Sequence, residues 1–138
     1  MYAPTVWVTG DVITAAKANN GETQYTEATD ESRGTKTYAA SVSYDLAVHR
    51  HWIMDKITGA LTITAFSNPP ATNKVGAFSL IFVCDGTQRI ITWPSSVKWG
   101  GGVVPTPSTT NNYRDWYSFL TYDNGTTWVG SSIMNIPN

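Results

Sequence analysis

Two histidines two residues apart, His49 and His51, are the first place in this chain where side chains could do chemistry. On a strand, positions i and i+2 share a face, so both imidazoles would point the same way and could hold one metal ion. No third ligand is evident nearby, and Arg50 adds like charge between them. The pair therefore predicts hydrogen-bonded histidines, with no metal and no cofactor.

The aspartates Asp45, Asp55, Asp85, Asp115 and Asp123 are the second candidate set, because an acid and a base carboxylate facing each other can hydrolyse a glycoside. Their spacing pairs none of them. Asp85 and Asp123 precede turn residues, where a carboxylate usually bonds the local backbone, and Asp115 lies just before Trp116-Tyr117. Cys84, the single cysteine, ends the apolar run Phe78-Ser79-Leu80-Ile81-Phe82-Val83. It reads as a small buried hydrophobe without an activating base, and one thiol excludes an internal disulfide. The chain has no G-x-S-x-G elbow and no H-E-x-x-H, and Gly100-Gly101-Gly102 lacks the Lys-Ser/Thr and following helix of a phosphate loop. Asn124-Gly125-Thr126 matches a glycosylation sequon but reads as a hairpin turn. These observations predict no catalytic residues and no enzyme.

The chain that must position these residues is 138 residues and 15.1 kDa, enough for one domain with a core plus an arm. Charged residues are 14%, against roughly 25% in ordinary soluble domains, and the net charge is −1. The nine Lys and Arg residues are scattered, which argues against nucleic acid as a partner. A weakly charged, polar surface suits packing against other protein subunits. Met1-Tyr2-Ala3-Pro4 lacks the start of a signal peptide, and no apolar run approaches the roughly 20 residues of a membrane span, so cytoplasmic synthesis and no membrane partner are expected.

The periodicity changes along the chain. Thr5 to Asp11 reads as extended, and Thr14 can cap a short helix from Ala15 whose stripe (Ala15, Ala18, Glu22, Tyr25, Thr29) is too polar to bury alone. Residues 1–35 are thus expected to be an arm with a short helix, with Glu31 to Thr35 as linker. Residues 36–138 are expected to be the folded domain. Tyr38, Ala40, Val42, Tyr44, Leu46 and Val48 alternate with smaller or polar residues, as a half-buried strand does. Further strands are predicted near Trp52 to Ile57, through Leu61, Ile63 and Ala65 as far as Asn68-Pro69-Pro70, from Ala77 to Cys84 as a central strand covered on both faces, and around Ile90 to Trp93. Trp116 to Tyr122 and Thr126 to Ser132 predict a hairpin about Asn124-Gly125. Seven or eight short strands imply an all-β fold, an antiparallel β-sandwich of jelly-roll-like type.

The aromatics exceed what a small core needs. Trp116, Ser118, Leu120 and Tyr122 fall on one face of their strand and Tyr117, Phe119 and Thr121 on the other, so both faces should be covered, one of them by a subunit or a glycan. Enrichment of Tyr and Trp at protein interfaces favours a subunit.

Two stretches carry a resemblance. TWPSSVKWGGGVVP followed by YRDWYSFLTYDNGTTW resembles the small β-sandwich of structural proteins in tailed bacteriophages and prophages, where a "TWP…VKW.GG..P" loop leads into a "D.Y.F…DGGTW" hairpin. WVTGDVITAAKANNGE is similar to the N-terminal segment of phage fibre, baseplate and head-associated proteins, a segment commonly at the attachment end. VHRHWIMD, from Val48 to Asp55, departs from the pattern in being bulkier and more basic. The resemblance implies a virion structural protein: a capsid decoration or cement protein or a short head fibre. It would be a homotrimer, anchored to the major capsid protein or another virion protein by its N-terminal arm. Trp7, Asp11 and Tyr25 are the residues expected to anchor, and Trp99, Tyr113 and Trp116 the residues expected between subunits. The alternative is a tail-associated receptor- or carbohydrate-binding module with a host glycan as partner.

Overall fold

A computed structural model describes residues 33–138, which belong to a compact unit running from Ser32 to Asn138. They are all-β. The strands are β1 (Arg33–Lys36), β2 (Ser41–Asp45), β3 (His51–Ile57), β4 (Leu61–Ser67), β5 (Gly76–Cys84), β6 (Ile91–Thr92), β7 (Val97–Trp99), β8 (Arg114–Thr121) and β9 (Trp128–Ile136), with one 3-10 turn at Gly100–Gly102. The predicted arm helix lies outside the described residues. Arg33, Gly34 and Thr35, expected in a linker, instead belong to β1 in the large sheet.

Six strands form one sheet in the order β1-β3-β5-β8-β9-β7, and three form a second, β2-β4-β6. The expected antiparallel, jelly-roll-like pairing is corrected here, since five of the seven strand pairings are parallel. From β1 to β7 the chain passes alternately between the two sheets, so each strand pairs in parallel with the strand one passage earlier or with the inserted hairpin. Thr58-Gly59, Asn68-Pro69-Pro70 and Asp85-Gly86 do turn the chain, but they carry it to the other sheet rather than into a hairpin. Only β8 and β9 are consecutive strands that pair, antiparallel, with β8 also antiparallel to β5.

The core lies between the sheets and draws on both: Val42 and Tyr44 from β2, Trp52 and Met54 from β3, Leu61, Ile63 and Phe66 from β4, Phe78, Leu80 and Phe82 from β5, Tyr117 and Phe119 from β8. Phe66 bridges the layers, 4.7 Å from the Phe78 ring centroid and 5.2 Å from that of Phe119. Each such ring removes a large apolar area from water, and edge-on pairs add specificity to the burial. Two sequence expectations fail locally. A register shift between Val42 and Ser43 in the β2–β4 pairing, where the Thr64 hydroxyl donates to the Val42 carbonyl at 3.0 Å, turns Phe66 inward and Ala65 outward. The single strand expected from Tyr38 to Val48 is split, because Asp45 accepts the Ala47 N–H and the Asn68 amide and ends β2 in a turn, leaving Val48 exposed.

Candidate functional site

The histidine pair does not share a strand face. His51 opens β3 on its outer side, its Nδ1 2.7 Å from Ser79 Oγ, while His49 lies in the preceding connection with its ring edge-on to Trp52. Trp52 Nε1 donates to the His49 carbonyl at 3.0 Å, so this short segment is held by an indole. Among the described residues no three His, Cys, Asp or Glu side chains come together as a metal site.

The carboxylates are dispersed and mostly engaged locally. Asp85 accepts from the Arg89 guanidinium and the Thr87 N–H, which hold it below the usual carboxylate range. Asp123 accepts from the Thr127 N–H and the Thr121 hydroxyl and is lowered chiefly by the first. Asp45 is lowered by Asn68 and Ala47. Asp85 and Asp123 are thus occupied by their own turns, and Asp45 by Ala47 and the distant Asn68.

Asp115 is different. It is 1% exposed on the core side of β8, where it accepts from the Ser108 N–H at 2.7 Å, the Ser108 hydroxyl, the Asn135 N–H at 3.2 Å and the Cys84 thiol at 3.5 Å. The cluster ties the loop after Gly102 to β5, β8 and β9. Burial, reinforced by Asp115, pushes the Cys84 thiol up to about 12, so it is a neutral donor and not a nucleophile. Alternation along YRDWYSF already places Asp115 on the Tyr117 and Phe119 face, and that signal identifies it.

Most of the aromatic surplus is structural. Trp128 packs on Phe78 at 4.9 Å, and Trp93 contacts Trp99 at 5.2 Å and Tyr117 at 4.9 Å. Trp99, expected between subunits, has its ring laid over Gly130, where a Cβ would come within 2.6 Å of it, and its indole Nε1 is buried without a partner among the described residues. Its strand β7 nonetheless ends the large sheet. Tyr113 is half-buried in the loop before β8, its carbonyl accepting the Cys84 N–H at 2.8 Å. Trp7, Asp11 and Tyr25 lie outside the described residues.

Trp116 is placed otherwise, 40% exposed on the outer face of the large sheet. Register puts Ile53, Ile81, Trp116 and Ile133 in one row across β3, β5, β8 and β9. Two residues along, His51, Ser79, Ser118 and Ser131 form a polar row, and beyond it Ala77, Leu120 and Val129 an apolar one. Leu120, Val129 and Ile133 are all well exposed, as is Tyr122 just past β8. For β5 the expectation of cover on both faces holds in part, since Ser79 on its outer side is 4% exposed and Ile81 is half-buried, while on β8 the outer residues Trp116 and Leu120 are exposed. Comparison with protein-family models, curated proteins and solved structures found no match to this chain.

Proposed function

We propose that this protein is a structural part of a tailed-bacteriophage particle, a capsid decoration or cement protein or short head fibre, built as a two-layer β-sandwich and assembled as a homotrimer. The observation that carries the reading is the outer face of the large sheet, with Trp116, Leu120, Val129 and Ile133 exposed on its strands. Burying such rows against another protein gains the hydrophobic free energy left unused in the isolated chain. Trp116 is the central subunit contact, and Tyr113 and Trp99, the latter on the end strand β7, are the further residues assigned to the interface. Closure around a threefold axis would also protect the end strands β1 and β7. Anchoring to a capsid or other virion protein falls to the N-terminal arm with Trp7, Asp11 and Tyr25. The reading assigns no reaction, in keeping with the turn-bound carboxylates and the neutral, buried thiol.

The test is the mass of the full chain in solution, with imaging of the intact particle to locate the protein. A stable mass of three copies, reduced to one by Trp116→Ser with Leu120→Ser, supports the reading. A monomer at every concentration removes it. The carbohydrate-binding alternative draws on the same exposed rings, Trp116 and Tyr122, which could stack sugars. Saturable binding of host polysaccharide, lost in the Trp116→Ser variant without a change in mass, would replace assembly with that function.

A further inference from the structure

A second feature lies at the end of the sheets where the β2–β3 and β4–β5 connections meet the starts of β5 and β9, reaching the outer face at Ala77. We infer that the cleft there binds a small organic carboxylate through Arg50. This goes beyond the assembly reading and needs neither an oligomer nor a particle. The cleft has a volume of about 160 Å³ and is lined by Leu46, Arg50, Pro69, Pro70, Ala77 and the edge of Trp128, with Asn68 at its rim. At about 30 Å³ per water it exchanges roughly five waters for a ligand the size of one six-membered ring.

Its walls are fixed in advance. Pro70 lies against Gly76, where a Cβ would meet the proline Cγ at 2.5 Å, and Pro69 lies over Gly125, where a Cβ would meet it at 2.7 Å. Asn68 Nδ2 donates to Asp45 at 2.7 Å, and Asn124 Nδ2 donates to Thr72 Oγ1 at 3.0 Å, so the wall is pinned from both ends of the loop. A site that does not reorganise loses less on binding.

Charge selects the ligand. Arg89 is paired with Asp85, and Asp45 beside the cleft is turned to Ala47 and Asn68. Among the described residues, no carboxylate or carbonyl engages the Arg50 guanidinium. An arginine fork matches a carboxylate with two parallel hydrogen bonds. One cation balances a single negative charge, which favours a carboxylate over a doubly charged phosphate, while proline, alanine and indole surfaces take the apolar side of a ring.

The experiment is a titration of the isotope-labelled full chain with glucuronate and with benzoate, followed by backbone amide and indole resonances, with glucose as the uncharged control. At least one acid should shift Ala47, Ala77 and the Trp128 indole saturably, with a Kd on the order of 1 mM, the strength of one screened ion pair and a small apolar contact. Glucose should not saturate. Arg50→Gln should weaken the acid about three- to fivefold, and Lys74→Gln, which removes the same charge outside the cleft, should leave it unchanged. No saturation with either acid, saturation mapped elsewhere, equal binding of glucose, or indifference to Arg50→Gln would each overturn the assignment. The titration reads whatever oligomer the chain forms, so its failure leaves the assembly reading to be judged by mass alone.

Discussion

The two faces of β8 are built from the same residue classes and do opposite things. Tyr117 and Phe119 point between the sheets, are fully buried, and touch Phe66, Phe78, Phe82 and Trp93. Trp116 and Leu120, one residue away from them, face outward and remain more than a third exposed. The inner face holds the fold together, while the outer face adds little to the monomer. Its apolar area becomes useful only when something covers it.

The largest effect that would sharpen this contrast is expected from Phe119→Ala. It empties a site surrounded by rings and should cost about 3–5 kcal/mol in denaturant unfolding. A loss comparable to that of an outward residue would dissolve the distinction. Next is Asp115→Asn, which turns an amide N–H₂ toward the donors of Ser108, Asn135 and Cys84. About 1–3 kcal/mol should be lost, since buried donors are left facing a donor. Tyr117→Phe tests the same face with the opposite sign. It removes a buried hydroxyl that has no partner among the described residues, so the unfolding free energy should hold or rise, by about 1 kcal/mol at most.

The interior also sets an alkaline limit. Cys84 ionises near 8.5 when unfolded and only at about 12 when folded, so its contribution is intact below about 8.5 and lost as pH rises toward 12. Tyr44 and Tyr117, raised by burial, act in the same direction at higher pH. The urea midpoint should therefore fall through that window, and Cys84→Ala should remove the earliest part of the fall. The smallest stability change belongs to the outer face: Trp116→Ser with Leu120→Ser should shift unfolding of the dilute monomer by only about 0.5 kcal/mol. The same variant should abolish self-association, which checks the comparison from its other side.

Much of the inner half was legible from local pattern. Alternation placed Val42, Tyr44, Leu61 and Ile63 on buried faces and set Tyr117 and Phe119 on one side of their strand, and turn chemistry marked the ends of β3, β4 and β5. What was not legible has specific causes. A period of two states which residues share a face but says nothing about strand direction, so it could not show that the turns after β3, β4 and β5 carry the chain to the other sheet. The inward turn of Phe66 depends on the register shift at Val42/Ser43, a property of two strands and not of one. Trp99 and Trp116 look alike in the sequence, yet one is laid over Gly130 and the other is 40% exposed, because Trp99 packs against Tyr117 and Phe119 on the inner side while Trp116 lies on the outer side of β8.

The sequence by itself determined an all-β body with few charges, a buried thiol, and an aromatic strand with two distinct faces, since these follow from residue type and a two-residue repeat. The tertiary structure decided which face was covered, that the strands run mainly parallel, and that Arg50, Pro70 and Trp128 line one cleft. Those outcomes depend on pairing between segments distant in the chain, where the register of one strand against another, and not its own composition, sets what each side chain meets.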